Sequence, residues 1–402
     1  MKVLLFGGAF DPPHKGHISI LKNAMAYDDF DKVIVMPTGT PTHKKGCTAP
    51  FDVRVYMSKL AFEHLGKNVE ISTWEGTNFH DDYTYLTVEH LKEKYDNPQI
   101  YMLIGSDSLF TLDSWKKPER LMSECKMLVF AREKNIDAEM HNKAEQLKLL
   151  GAQIDFIKTE PIEFSSSEYR KSFGICEKEF LPDNVRNTAE KYNLYDAEDL
   201  QRWKGTAKLL AKLLLDEKRY IHTLNVEKLA AELGEIYSLD VEKLRVAALL
   251  HDIMKNAEYD ILLHRAKQSG IINRIEDKPK PTLHGFAAAG YAIKEMGIDD
   301  ESILWAVKSH TCGRYGMQDM EKVIYLADML CEERQFDGKD YLLGIAKQNL
   351  DAAMYQSLIH SLEWIKSKGN TVDTDSLAAL EYFKLRQEKV CEEETHERKE
   401  NI

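Results

Sequence analysis

The stretch Val3 to His17, V-L-L-F-G-G-A-F-D-P-P-H-K-G-H, constrains the first half of this chain more tightly than any other. Val3 to Phe6 is apolar at every position, the pattern of a short strand buried on both faces, as in a parallel sheet. Gly7 and Gly8 then permit a tight turn with close approach of backbone to a ligand. Two prolines follow, then His14 and His17, and Ile18 to Tyr27 has helical character. A strand, a glycine turn and a helix N-terminus together make an anion site, because free N–H groups and the helix dipole both favour negative charge. Two imidazoles spaced by three at a helix start lie on one face and reach the same phosphate. Such a site works without a protein nucleophile, by positioning and charge stabilisation at phosphorus.

Further short apolar runs alternate with helical segments. Strands are expected at Lys32–Pro37, Val69–Trp74, Gln99–Ile104, Lys126–Arg132 and Gln153–Ile157, with helices over Asp52–Leu65 and Asp82–Tyr95. That alternation defines a parallel, doubly wound α/β sheet. The loop Thr38–Pro50 contains P-T-H-K-K, and a basic loop at the C-terminal end of a strand in such a sheet is where phosphates bind. The serines at 165 to 167 are good N-caps, so they mark a second helix N-terminus able to hold phosphate, with Arg170 one turn in.

The whole pattern G-G-x-F-D-P-x-H-x-G-H, carried by Gly7, Gly8, Phe10, Asp11, Pro12, His14, Gly16 and His17, resembles the nucleotidylyltransferase superfamily. The P-T-H-K loop, Arg54 in R-x-x-M, D-Y-T-Y-L-T, I-G-S-D with Trp115-Lys116, Arg132 and S-S-S-x-Y-R are similar to bacterial nicotinate-nucleotide adenylyltransferases over residues 1–196. On that resemblance His14 and His17 stabilise the transition state at the α-phosphate of ATP. Lys44, Ser166, Ser167 and Arg170 bind the polyphosphate with Arg132 nearby. Thr84, Tyr85 and Trp115 hold nicotinate mononucleotide, Trp115 by stacking. Gly7, Gly8, Phe10, Gly105 and Asp107 complete the binding set. Mg²⁺ is expected to bridge the phosphates. Three departures stand out: Ala9 where a hydroxyl residue is usual, Phe164 in place of a branched aliphatic, and a long connection from Trp74 to Asp82.

After Tyr195 the strand-like runs cease and the chain is helical in pattern from Asp199. Histidines and aspartates recur inside apolar helical segments: His222, the adjacent pair His251-Asp252 in A-A-L-L-H-D-I-M-K, His284, His310 and Asp328. An ionisable group buried without a partner is costly, so the recurrence points to a shared purpose. Four imidazoles and two carboxylates suit iron, manganese or zinc, and six ligands fit two metals better than one, with Asp252 as the bridge. R-x-x-H-T, L-L-H-D-I-x-K, L-H-G, H-T-x-G and L-A-D followed by Arg334 resemble the HD-domain phosphohydrolases. They are most similar to those that split diadenosine tetraphosphate symmetrically. The resemblance implies a dinuclear centre, iron by preference, and hydrolysis to two ADP by water activated near neutral pH. It also puts Lys255 and Arg334 on phosphate oxygens. Cys331 stands where a Glu is usual, three residues after Asp328.

The expected fold is therefore a doubly wound parallel α/β sheet followed by an all-α HD domain, with the second domain over 200–385 and a charged tail over 386–402. The sequence from Glu381 on reads as a helix end fraying into disorder. A net charge of −12 argues against a general nucleic-acid binder. No apolar run is long enough to span a membrane, and the six scattered cysteines read as free thiols in a reducing cytoplasm. The partners implied are ATP, nicotinate mononucleotide and diadenosine tetraphosphate; a homo-oligomer is compatible. Two alternatives stand for the second half: a regulatory nucleotide- or metal-binding HD module, or a broader nucleotide phosphohydrolase.

Overall fold

A computed structural model describes residues 1–39, 48–77, 83–131, 137–159, 165–173, 180–270 and 275–400. Lys44, Arg132 and Phe164, all singled out above, lie outside the described residues. The chain divides into two compact units, Met1–Ala197 and Glu198–Ile402.

The first unit is built on six strands: β1 (Lys2–Gly8), β2 (Lys32–Pro37), β3 (Val69–Ile71), β4 (Gln99–Gly105), β5 (Cys125–Phe130) and β6 (Gln153–Phe156). Their order is β3-β2-β1-β4-β5-β6, and every pairing is parallel. Val3 and Leu4 are fully buried and Leu5 and Phe6 nearly so, which is why β1 carries no polar alternation. The connections that follow β1 and β4 run to opposite sides of the sheet order, so a crevice opens beyond the C-terminal ends of these two strands. Strand β3 ends three residues short of the expected Trp74, which opens the short helix Trp74–Thr77.

The second unit is helical. Helix Val241–Leu250 is its centre: Val246 to Leu250 have no exposed surface, so its C-terminal half is apolar all round, while Glu242, Lys243 and Arg245 keep its first turns half-exposed. Helix Glu217–Ile236 packs on it and on Asp319–Leu330, while Glu301–Ser309 packs on Val241–Leu250, Leu283–Met296 and Asp319–Leu330. These five helices, with the turn that follows Val241–Leu250, carry all six sequence-predicted ligands. The last helix runs from Thr374 to Glu400, so the charged C-terminal segment continues the helix instead of ending it near Glu381. No helix of the described residues is long and apolar enough to cross a membrane.

Candidate functional site

Each unit holds one candidate site. In the first, helix Lys15–Met25 starts three residues before the expected Ile18, and this changes the role of the histidines. His14 is the N-cap, in extended backbone, and His17 is the third helical residue. The backbone N–H of His14 donates to Nδ1 of His17 (3.2 Å), and that of His17 donates to Nδ1 of His14 (3.3 Å). A capping box normally built from Ser and Glu is here made from two imidazoles. The rings stack with centroids 3.6 Å apart. A backbone N–H can only donate, so both Nδ1 atoms are acceptors and each neutral ring carries its proton on Nε2.

Phe10 is buried with φ 47°, a left-handed conformation costly for a bulky residue. Its ring meets His17, Phe6 and Phe62 edge-on at 5.2–5.3 Å, holding the turn against the histidine. A Cβ on Gly8 would stand 3.0 Å from that ring, whereas one on Gly7 would meet nothing within 4 Å. Gly8 is thus fixed by packing, and Gly7 is exposed at the end of β1.

Asp11, named above only as part of the motif, is a hub. Its buried carboxylate accepts from the N–H of Thr48 (2.8 Å), the N–H of Ala49 (3.2 Å) and the Tyr195 hydroxyl (2.9 Å). Burial, and then the Asp11 charge, push the Tyr195 hydroxyl well above its ordinary pKa, so it stays a donor. Arg170 donates to the Asp11 carbonyl (2.5 Å) and to Ser167 Oγ (3.2 Å), and Ser166 Oγ donates to the Pro12 carbonyl (2.8 Å). The helix Ser166–Lys171, capped by Ser165, is thereby stitched to the His14 turn. Arg54, 1 % exposed, donates to the carbonyls of Ala9, Gly39 and Ala49 and ties three loop segments together.

Gly105 caps the helix Ser106–Thr111, which begins with Ser106 and exposed Asp107. Tyr85 and Trp115 both pack half-buried on the same apolar cluster of the sheet. Thr84 is the first residue of helix Thr84–Lys94. The ammonium of Lys117 lies 4.2 Å from the Tyr85 ring centre, and that of Lys116 lies 6.0 Å from Tyr83.

In the second unit the six predicted ligands converge. His251 and His310 are the C-caps of Val241–Leu250 and Glu301–Ser309, His284 is second in Leu283–Met296, and His222 lies within Glu217–Ile236. All four imidazoles and Asp252 are nearly or fully buried. Nδ1 of His251, His284 and His310 each meets the carbonyl three residues earlier, Ala248 (2.6 Å), Pro281 (2.8 Å) and Val307 (2.7 Å). A carbonyl only accepts, so these rings carry the proton on Nδ1 and present a lone pair at Nε2. A Cβ on Gly285 would stand 2.9 Å from the Val307 carbonyl and 3.1 Å from the His310 ring, which is why L-H-G follows His284 with glycine.

Asp252 faces a different group with each oxygen. Oδ1 lies 3.0 Å from His284 Nε2 and 3.8 Å from His310 Nε2; Oδ2 lies 3.4 Å from His251 Nε2 and 3.9 Å from His222 Nε2. Asp328 Oδ1 is 3.0 Å from His222 Nε2. Burial pushes His284 down to about 4, overcoming the pull of Asp252, and lowers His310 as well. Burial opposes charge on His251 too, but the adjacent Asp252 outweighs it and raises that ring. Asp252 and Asp328 are held below the carboxylate range because their histidines outweigh the cost of burial.

This geometry fits metal binding on its own terms. The Nε2 lone pairs of His284 and His310 point together at 3.0 Å, which repels unless positive charge lies between them. Nε2 of His222 and His251 and Oδ1 of Asp252 are buried and, despite the short charge separations above, make no well-formed hydrogen bond. Native proteins leave few such atoms unsatisfied, and a cluster of imidazole and carboxylate atoms of this kind suits an ion as the completing partner. Ligand atoms of His222, His251 and Asp328 all lie within 4.8 Å of one another, as do those of His251, Asp252 and His310.

Cations surround the centre. Lys255 Nζ is 3.6 Å from Asp252 Oδ1 and 3.1 Å from His284 Nε2, and Arg334 lies 2.6 Å from Asp328 Oδ1. Arg219, present in the motif but given no role by the sequence, lies 2.9 Å from Asp252 Oδ2. Cys331, which stands where a Glu is usual, sits 3.5 Å from His222 Nδ1.

Two family models match the chain: a cytidylyltransferase-like model over residues 5–172 and an HD-domain model over residues 219–337. The fold and the two sites thus define a nucleotidyl transferase joined to an HD phosphohydrolase. A probable nicotinate-nucleotide adenylyltransferase/Ap4A hydrolase of Mycoplasma pneumoniae is 30% identical over 90% of this chain and 99% of that protein. Shorter relatives match the halves separately. A probable nicotinate-nucleotide adenylyltransferase of Clostridium tetani is 33% identical over 48% of this chain and 98% of its own length. A symmetrical bis(5'-nucleosyl)-tetraphosphatase of Halalkalibacterium halodurans is 33% identical over 46% and 98%. The chain belongs to the family of bifunctional nicotinate-nucleotide adenylyltransferase/Ap4A hydrolases.

Proposed function

We propose that the first unit transfers AMP from ATP to nicotinate mononucleotide, the mononucleotide phosphate attacking the α-phosphorus and pyrophosphate leaving. The product is deamido-NAD. His14 and His17 donate from Nε2 to the oxygens of the α-phosphate, where charge grows in the transition state. The observation that carries this is the mutual capping of the histidines, which consumes both Nδ1 atoms and leaves donation to Nε2. Ser166, Ser167 and Arg170, with Lys44 and Arg132, hold the polyphosphate with its Mg²⁺. Thr84, Tyr85 and Trp115 receive the mononucleotide, and Gly7, Phe10, Gly105 and Asp107 shape the crevice.

The second unit hydrolyses diadenosine tetraphosphate with one water to two ADP. His222, His251, Asp252, His284, His310 and Asp328 would hold two metals, iron by preference, with Asp252 between them. Bound there, the metals supply Lewis-acid activation of water and phosphate. Lys255 and Arg334 neutralise phosphate oxygens, and the buried rings hold the ligand atoms fixed. The test uses the full chain: metal analysis of the purified protein, then chromatography of diadenosine tetraphosphate digests and of ATP reactions with nicotinate or nicotinamide mononucleotide. Bound metal, ADP as the product and a preference for nicotinate support the reading. Metal-free protein that makes no ADP overturns the second half, and absence of deamido-NAD overturns the first.

A further inference from the structure

The four histidines of the HD centre are not held alike. His251 and His310 stand at helix C-termini, where carbonyls lack helical partners, and His284 follows a turn whose Pro281 carbonyl precedes its helix; in each case the carbonyl accepts from Nδ1. His222 lies in the interior of Glu217–Ile236, where the carbonyls of the preceding turn are taken by the helix itself. Its Nδ1 is met instead by a side chain from another segment: the carboxylate of Glu333, through Oε1. Asn225, one turn on from His222, donates to the other oxygen, Glu333 Oε2, at 2.7 Å. The Cys331 thiol closes the corner, 3.2 Å from Glu333 Oε1.

We propose that Glu333, steadied by Asn225, is a positioning residue that fixes the tautomer of His222 and strengthens its Nε2 as a ligand. The inference rests on the dinuclear reading above. A carboxylate is a stronger acceptor than a carbonyl, so it draws the Nδ1 proton and enriches the electron pair at Nε2 more than a carbonyl does. One metal subsite, that of His222, His251 and Asp328, therefore depends on a surface carboxylate that the other subsite does not share. The two subsites would hold metal unequally, and the inequality would be set by a residue outside the six-ligand set. Loss of an outer partner of this kind typically weakens metal affinity about 10- to 100-fold.

The test is equilibrium dialysis of the full chain against Mn²⁺ and against Fe²⁺ without oxygen, with metal content read per chain. The variants are Glu333→Gln, which keeps shape, and Asn225→Ala, which leaves the carboxylate but frees one oxygen. Glu332→Gln is the control, because its carboxylate pairs only loosely with exposed Lys228 at 3.7 Å. Melting of the metal-free proteins reports folding. The expected result is two binding steps in the unaltered protein and one step weakened about 10- to 100-fold in Glu333→Gln. Asn225→Ala weakens the same step less, and Glu332→Gln leaves it unchanged. Two unaltered steps in Glu333→Gln overturn the inference while leaving the dinuclear reading in place. No metal in the unaltered protein overturns both.

Discussion

His14 and His17 hold each other by their main chains: each backbone N–H donates to the other's Nδ1, at 3.2 and 3.3 Å. Structure and chemistry can thus be divided within each ring, Nδ1 capping the helix and Nε2 carrying the proton.

That division can be separated by mutation. His14→Asn keeps a side-chain acceptor for the N–H of His17 but removes the Nε2 donor. Deamido-NAD synthesis is expected to fall about 10²- to 10³-fold, the usual loss for one transition-state donor, with little change in melting temperature. His14→Ala loses the cap as well and costs about 1 kcal/mol more in stability. Steady-state kinetics with calorimetry checks both, and near-normal turnover in His14→Asn would exclude the phosphate role.

Arg54 is structural. Replacing it by Met leaves the carbonyls of Ala9, Gly39 and Ala49 short of a donor. Each buried acceptor left unsatisfied costs roughly 1–3 kcal/mol. The calorimetric transition that ATP stabilises should move down by several degrees, since about 2–4 °C accompanies each kcal/mol in a unit of this size. Ap4A hydrolysis at low temperature should be unaffected.

Asp252→Asn separates the two activities. A carboxamide offers one oxygen and no charge, and Asp252 presents separate oxygens to His284 and His251. Ap4A hydrolysis is expected to fall by more than about 10²-fold, with deamido-NAD synthesis within about twofold of normal because no residue of that site changes. Chelation of the unaltered protein should lower the melting temperature of the second unit, since metal that binds only the folded state stabilises it. Equal melting with and without chelator would count against a metal site.

Asp300 gives the second unit an acid-labile tie. It caps Glu301–Ser309 through the N–H groups of Ser302 (3.0 Å) and Ile303 (3.2 Å) and pairs with Lys243 at 2.7 Å. Burial works against its charge, but Lys243 and the capping donors outweigh that and lower its pKa below the ordinary 3.8. A carboxylate lowered on folding stabilises fully above its unfolded value, and the contribution fades as pH falls through the folded value. Asp300→Asn should therefore lower the urea midpoint at pH 7, while the difference from the unaltered protein shrinks on acidification below 3.8. A gap that persists at the lowest pH would show that the charge is not what stabilises.

Motifs legible in the sequence were those whose residues are close along the chain or tied to a fixed chemistry. The apolar run of β1, the serine cap and the His-Asp pair each declare themselves within a few positions, whereas Gly7 and Gly8, expected to form a turn, instead extend β1 and pair with Met36 and Pro37. Glu333 and Asp11 did not. Glu333 is one acid in a charged run, and only the packing of its segment on Glu217–Ile236 brings it to His222. Asp11 reads as a motif residue, yet its partners at Thr48, Ala49 and Tyr195 are far along the chain. The first helix starts before its apolar spacing does, because Lys15-Gly16-His17 carries no apolar residue and the cap that starts it is an imidazole.

The sequence by itself determined the two-part plan, the parallel sheet and the six His and Asp residues that converge in the second unit, because hydrophobic periodicity and the choice of ionisable residues are local. Tertiary structure decided the rest: which nitrogen of each histidine is spent on the backbone, how Asp252 divides its oxygens, and which distant carboxylate serves His222. Those are directional contacts between segments, and their geometry exists only once the helices have packed.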